Sequence, residues 1–392
     1  MFKPASLKNK IAIVGVGESD IGRIPHMTGL GLNAQACKRA IDDAGLKPDQ
    51  IDGLLTAYSF TEPYFMLGTV LCEYLGLKPT YSASLVVGGA TPAIMLKRAA
   101  EAIIAGQAEI VLVCAGENRA TGASRDSTLS TLLAVGHPYF EQPYGGSIPG
   151  YYAMIAQRYM EVYGTTREEM ASVCVNTRNH ALMHPNAHMK KPITMEDVLN
   201  AKPIADPLGM LDCCLISDAG GAFIVTSAER AKDITDEPIY LQGIGEYHTH
   251  EHIMCAPSLT EFGAEVSGRI AYEMADLSPQ DVDVAELYDC FSIVPILEAE
   301  ELGLVPRGEG GKFFLEGHAA VGGKLPINTH GGMLSHAHAG AAGGLLAMIE
   351  GVRQLRGGLG ARQVEDAKVA LVHNEGGILS SHCTMLFTNE QL

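Results

Sequence analysis

The stretch NTHGGMLSHAHAGAAGG, residues 328–344, carries the densest chemistry in the chain. It holds His330, His336 and His338, the pair Gly331–Gly332 and a run of small residues, with no acidic side chain. Imidazoles titrate near neutral pH, so histidines on a turn suit proton transfer. Directly behind lies LLAMIEGVRQLRG, whose Leu345, Met348, Ile349, Val352 and Leu355 recur at helical spacing. The pattern predicts a glycine-rich turn feeding a helix N-terminus. Unpaired N–H groups and the positive end of the helix dipole favour an anion or oxyanion there. Small residues alone would let a helix pack closely on a sheet, but packing does not require three histidines. On alternation His330 and His336 need not face the same side as His338, and each reads as orienting the loop or as exposed to solvent.

A second cluster, YHTHEHIMC, sets His248, His250 and His252 at alternate positions ahead of Cys255. On a strand these imidazoles would share a face, and with a thiolate they form a zinc-type ligand set. No supporting partner for such ligands is legible, so no metal is assigned. His382 and Cys383, in SSHCTMLF, fall on an apolar run and read as core.

The elements that must position these groups follow from composition and pattern. The 392-residue chain is 47% apolar and 19% charged, enough for two domains or one duplicated fold. A formal charge of −17 without a basic block argues against a nucleic-acid partner. No apolar run reaches the roughly 18 residues of a membrane span. The opening MFKPASLKNKIAIVG has too short an apolar run for a signal peptide. Nine scattered cysteines without a CxxC fit a reducing cytoplasm rather than a disulfide framework.

KIAIVGVG, residues 10–17, reads as a buried strand. GVGESDIG lacks the third glycine of a dinucleotide fingerprint, which argues against NAD. LNAQACKRAIDDAG is an amphipathic helix closed by Gly45, and GGATPAIMLKRAAEAIIAG is a buried helix. AEIVLVCAGE is a continuous apolar strand, as in sheets covered on both faces. Residues 119–210 are richer in Tyr, His, Met and Pro and read as an inserted helical and loop region whose aromatic and Met content either lines a pocket or forms a satellite core under long loops. LLDCCLISDAGGAFIVTSAERA then resumes the strand pattern.

The chain also repeats itself. ACKRAIDDAGLKPDQIDGLLTAY matches RIAYEMADLSPQDVDVAELYD, with Leu46 against Leu277. GGATPAIMLKRAAEAIIAGQAEIVLVCAG matches AGAAGGLLAMIEGVRQLRG followed by AKVALVHNEGG. Two copies of one α/β unit predict a pseudo-twofold pair. One half comprises residues 1–118 and 211–236, the other residues 237–392. A shared site is expected between the N-termini of the two core helices.

LLDCCLISDAGGAFIVTSAERA, ELYDCFSIVPILEAEELG, GEGGKFFLEG, NTHGGMLSHAHAG and LVHNEGGILSSH together resemble the thiolase superfamily across almost the whole chain. The resemblance is strongest to the sterol-carrier-type thiolases and the thiolase-like lipid-transfer proteins. It implies a thiolase-like α/β fold, two duplicated halves in a five-layer αβαβα arrangement with an inserted loop domain. It also implies four reactive elements. A nucleophilic Cys begins the first core helix, an Asn or His lies in a motif ending in Phe, a His follows a Gly-Gly turn, and a second Cys precedes a Gly-rich strand end. Here Gly89 stands at the nucleophile position, and no cysteine lies between Cys72 and Cys114. Tyr288 takes the Asn or His position in YDCF, His338 keeps the histidine, and His373 in HNEGG replaces the second cysteine.

A thiolase needs a thiolate to carry the acyl group, and glycine supplies none. What remains is a CoA-thioester cleft with an oxyanion site and acid/base groups that can stabilise a thioester enolate. Tyrosine in the second motif resembles the thiolase-like aldolases of sterol side-chain breakdown. The resemblance therefore implies retro-aldol cleavage of a β-hydroxyacyl-CoA into a ketone and a shorter acyl-CoA. Tyr288 would take the hydroxyl proton if its pKa is lowered, or return a proton to the enolate carbon. His338, with the backbone at Gly89, Gly331–Gly332 and Gly376–Gly377, would hold the CoA thioester oxygen, and His373 is a second acid/base candidate. Acyl-CoA acyl transfer and a catalytically silent acyl-CoA or lipid-binding subunit are the alternatives. CoA enters as part of the substrate, and no separate cofactor is expected. The resemblance further implies a cytoplasmic homodimer, with a small partner carrying a zinc ribbon and an OB fold.

Overall fold

The computed structural model describes residues 6–392, apart from the side chains at positions 125, 128, 129 and 132. Its first half runs β1 (Ile11–Glu18), α1 (Gly29–Asp43), β2 (Gly53–Ala57), β3 (Tyr81–Leu85), α2 (Thr91–Ile104) and β4 (Ile110–Asn118). Residues 119–210 follow, with the long helices α3 (Ile148–Tyr163) and α4 (Arg167–Met183), before β5 (Asp218–Ser227) returns to the sheet. The second half runs β6 (Ile239–His248), α5 (Ala264–Ala275), β7 (Val284–Glu286), α6 (Val294–Glu301), α7 (Ala342–Arg356), β8 (Val369–Gly376) and β9 (Ser381–Thr388).

Among the described residues the long strands form a nine-stranded sheet in the order β3-β2-β4-β5-β1-β6-β9-β8-β7. The halves meet where Ile11–Ile13 of β1 pair antiparallel with Ile239–Leu241 of β6. On either side the pairing repeats. β2 runs parallel to β4, which runs antiparallel to β5; β7 runs parallel to β8, which runs antiparallel to β9. Helices α2 and α7 pack on each other and on strands of both halves, while α1 and α5 cover the outer faces. The stack is therefore αβαβα. The apolar stripe Leu345, Met348, Ile349 and Val352 of α7 is fully buried with Met95 and Leu96 of α2. At roughly 1.5–3 kcal/mol per large side chain, this central layer holds the two helix N-termini in register. The repeat extends to local detail. Gly45 and Asp276 both end their helices with positive φ, 64° and 59°, and each leads into a short turn, Pro48–Gln50 or Pro279–Asp281.

The glycines of KIAIVGVG serve this packing. A Cβ on Gly17 would overlap the Ala36 carbonyl of α1, and one on Gly245 of β6 would overlap the Ser267 carbonyl of α5. Each outer helix thus lies directly on its strand, and the glycines that superficially suggest a nucleotide loop are contact points in the two halves. Gly245→Ala is expected to lower the urea midpoint through overpacking, by roughly 1–3 kcal/mol or more. Gly31→Ala, on α1 with only ordinary contacts at its Cβ, is expected to be neutral or slightly stabilising. Equal midpoints for the two variants would refute the close-packing argument.

Candidate active site

Tyr288 lies just beyond β7, where the chain leaves the sheet. Its N–H donates to Glu298 Oε2 of α6 at 2.8 Å, and the neighbouring Leu287 N–H donates to Asn328 Oδ1 at 2.7 Å. These bonds bring the tyrosine to the start of α2. A Cβ on Gly89, just ahead of that helix, would overlap both the Tyr288 hydroxyl and the Glu375 carbonyl oxygen. The His338 ring stands nearly perpendicular to the Tyr288 ring, with centroids 6.3 Å apart. At the start of α7, Gly343 abuts the His338 ring and Gly344 abuts the Gly89 carbonyl, while Gly88 abuts Gly377 N. Gly89, Tyr288, His338, Gly376 and Gly377 therefore meet between the N-termini of α2 and α7.

Gly331 and Gly332 do not join them. The Gly331 N–H donates to Asn328 O at 2.9 Å, and Gly332 lies against the Asp289 carboxylate. Asp289 accepts from Met333 N at 2.6 Å and Leu334 N at 3.3 Å. This backbone shapes the loop itself, so the expectation that it holds a thioester oxygen is corrected. His373 offers no free nitrogen to the cleft either. It is fully buried on β8 beside Glu298, and the bonding pattern assigns its protons. Its Nδ1 accepts from Thr384, and its Nε2–H donates to His382 Nδ1 at 3.1 Å; His382 Nε2–H in turn donates to Leu379 O at 2.9 Å. Both His373 nitrogens are committed, which corrects its acid/base assignment. His330 pairs with Glu286 at 2.7 Å, and His336 is fully buried behind the loop.

Inserted helix α4 clamps the loop. Arg178 Nε donates to Ser335 Oγ at 2.8 Å. His180 Nδ1–H donates to Asn328 O at 3.0 Å, and its Nε2 accepts from Val321 N–H at 3.2 Å. That bonding suits only a neutral ring. Burial pushes the pKa of His180, His184 and His382 down to about 4. The unfolded chain takes up these protons near pH 6.5, the folded chain only near pH 4. Stability is thus complete above pH 6.5 and is lost as pH falls towards 4. Urea midpoints measured from pH 7.5 to 4.5 are expected to decline over this window, with a shallower slope in His180→Gln; a flat wild-type profile would count against the buried neutral histidines.

The site electrostatics assign protonation states. Burial first, then the nearby Glu375, Cys290 and Cys214, push Tyr288 well above the usual tyrosine range, while Arg119 acts the other way. The phenol therefore stays protonated, and the condition for its acting as a resting base is not met. Burial and then Arg119 push the partly buried His338 down to about 3, so its ring is neutral. Burial raises Cys214 to about 12 and lifts Cys290 far above the ordinary thiol range. Glu375 is pushed up to about 7, chiefly by burial. Arg119, Cys290 and Glu375 escaped the motif reading. Arg119 directly follows β4, at the strand end where α/β sheets bind ligands, and Ala120 and Thr121 beside it donate to Asp218 Oδ1.

The histidines of YHTHEHIMC do not converge. His248 bonds Glu246 and Ser381, His250 bonds Thr249 and Ile378 O, and His252 bonds Val135 O. Among the described residues, ligand atoms of Glu18, His184 and His336 do lie within 4.8 Å of one another. Two features oppose a cation there. Arg353 already pairs with Glu18 at 2.5 Å, and His184 Nδ1 accepts the Asn186 N–H, which leaves the proton on Nε2 facing Glu18.

Residues 245–389 match the family model described as Thiolase C-terminal domain-like. The chain is 35% identical to 17-hydroxy-3-oxo-4-pregnene-20-carboxyl-CoA lyase of Mycobacterium tuberculosis, covering 90% of this chain and 92% of that protein. The chain belongs to the thiolase superfamily. It is also similar to acetyl-CoA acetyltransferase of Methanothermobacter thermautotrophicus, at 33% identity over 96% of this chain and 99% of that one. The solved Ltp2-ChsH2(DUF35) aldolase superposes with a TM-score of 0.86 at 31% identity, over 99% of this chain and 100% of that chain. In this thiolase-like protein, residue 89 and Tyr288 compete for one volume. Gly89→Cys is expected to lower the thermal midpoint by several degrees, and adding Tyr288→Ala to recover part of that loss. Strictly additive losses in the double-mutant cycle would show that the two positions do not compete.

Proposed function

We propose that this thiolase-superfamily protein cleaves a β-hydroxyacyl-CoA by a retro-aldol reaction, giving a ketone and a shorter acyl-CoA. One observation carries the reading: the Tyr288 hydroxyl fills the space that a nucleophile at position 89 would need. The nearby Cys290 and Cys214 are held as thiols by burial, so no ready thiolate stands in for it. Acyl transfer, the chemistry named for the acetyltransferase relative, lacks its covalent carrier. A silent carrier, in turn, has no use for a tyrosine and a histidine set at right angles between two helix N-termini.

In the cleavage the Cα–Cβ bond breaks and its electrons enter the thioester as an enolate. The β-oxygen loses its proton and becomes the ketone. Negative charge growing on the thioester oxygen is met by the positive ends of α2 and α7. The His338 ring is neutral and its single N–H faces the Leu215 carbonyl, so it lines the thioester site without carrying charge of its own. Tyr288, a neutral phenol, returns a proton to the enolate carbon. The backbone at Gly89 and Gly376–Gly377 lets the thioester approach closely, because none of these positions carries a side chain.

The names of the lyase relative and of the two-component aldolase support a steroid-type acyl group and a second subunit; a small zinc-ribbon and OB-fold protein is the partner we expect. We extend both to this chain, acting as a homodimer in the cytoplasm with CoA as part of the substrate and no separate cofactor. No helix among the described residues is long and apolar enough to cross a membrane.

Incubation with a panel of β-hydroxyacyl-CoA thioesters, with and without the partner, should release ketone and acyl-CoA without added CoA. Cleavage of 3-ketoacyl-CoA that depends on free CoA would overturn the reading in favour of thiolysis. Tyr288→Phe is expected to lower kcat by about 100-fold or more; unchanged turnover would remove Tyr288 from the mechanism.

A further inference from the structure

The retro-aldol reading, on which this inference rests, leaves one proton without an acceptor. Tyr288 is held as a phenol, and His338 is a very weak base. The β-hydroxyl proton must still go somewhere as the C–C bond breaks. Glu375 is the next-to-last residue of β8, and its backbone carbonyl lies beside Gly89. Its carboxyl is almost fully buried. Oε1 accepts from Tyr152 Oη at 2.7 Å and from Cys290 Sγ at 3.3 Å, and Oε2 accepts from Leu379 N at 3.2 Å. Tyr152 is itself fixed by stacking on Phe291, with centroids 4.5 Å apart. The titratable groups facing the carboxyl are Tyr152 from α3, Cys290 and Tyr288 from the segment after β7, and Glu298 from α6. None of these is a cation, so three hydrogen bonds offset only part of the cost of burying the ionised form.

We propose that Glu375 is the proton store of the site, receiving the substrate's hydroxyl proton through the Cys290 thiol and returning it to Tyr288 by the same route. The steps balance. As the β-hydroxyl O–H bond breaks, Cys290 sulfur takes that proton and passes its own to the Glu375 carboxylate. The Cα–Cβ electrons become the enolate, and the ketone forms. Tyr288 gives its phenolic proton to Cα, and Glu375 then reprotonates the tyrosinate through Cys290. The buried cluster keeps a single negative charge on the enzyme or on the bound enolate throughout, which low polarity demands. Because Glu375 acts through Cys290, it is a positioning residue rather than one that touches substrate.

The pH dependence of cleavage tests this. Glu375 must be ionised to accept a proton, so wild-type kcat/KM is expected to rise with pH through about 7. Glu375→Gln should lower kcat by about 100-fold, leave KM within about threefold and abolish that limb. Glu375→Asp should keep a limb, which guards against a misfolded Gln variant. Tyr152→Phe removes one donor to the carboxylate and should move the limb to higher pH, an effect that a purely structural role would not produce. A limb near pH 7 that survives Glu375→Gln, or that Tyr152→Phe leaves in place, overturns the assignment while wild-type cleavage still stands. A wild type that cleaves no member of the panel overturns the retro-aldol reading itself, and the role of Glu375 falls with it.

Discussion

The Tyr288 hydroxyl and any side chain at position 89 would have to occupy the same space, and much of the site's chemistry follows from that exclusion. Position 89 opens a core helix, where the helix dipole would otherwise favour a thiolate. With glycine there, the tyrosine reaches across from the second half of the fold and lies against the backbone of Gly89. The same tyrosine is buried against Cys290, Cys214 and Glu375, so its phenol holds its proton tightly. One steric choice thus turns a place suited to covalent acyl transfer into one suited to proton donation.

Duplication makes this meeting geometrically possible. Two copies of one α/β unit set their core helices side by side, so that both N-termini open on one crevice. The copies use the position differently. The first supplies glycines at Gly88–Gly89 and the second supplies His338 ahead of α7. Buried hydrogen bonds around the crevice fix the imported groups: Glu298 positions Tyr288, Asn328 positions the adjoining backbone, and Asp289 shapes the turn before His338.

Several polar groups that look reactive are spent on this support. His180, His330, His373 and His382 each bond to protein partners, and such bonds are costly to lose in a dry interior. Burying His180, His373 and His382 as neutral rings gives the protein an acid-sensitive scaffold around a site that must work near neutrality. The residues inserted at 119–210 take part as well, because α4 holds the loop from behind through Arg178 and His180.

Much of this was legible in the chain. Period and glycine spacing predicted the strands, core helices and repeat, because amphipathic and buried elements impose local patterns that survive in one dimension. Motif resemblance picked out Gly89, Tyr288 and His338. It also promoted His373 and Gly331–Gly332, which motif position alone cannot tell from true cleft residues. The tertiary structure decided what depends on packing between distant segments. It set which nitrogens and N–H groups were already bonded, and it showed that Glu375 and Cys290 lie beneath Tyr288. It also decided the protonation states, because these depend on burial and on neighbours far away in sequence. The sequence by itself determined the fold and the missing thiol. Only the folded arrangement showed that a tyrosine fills the vacancy and which carboxyl stands behind it.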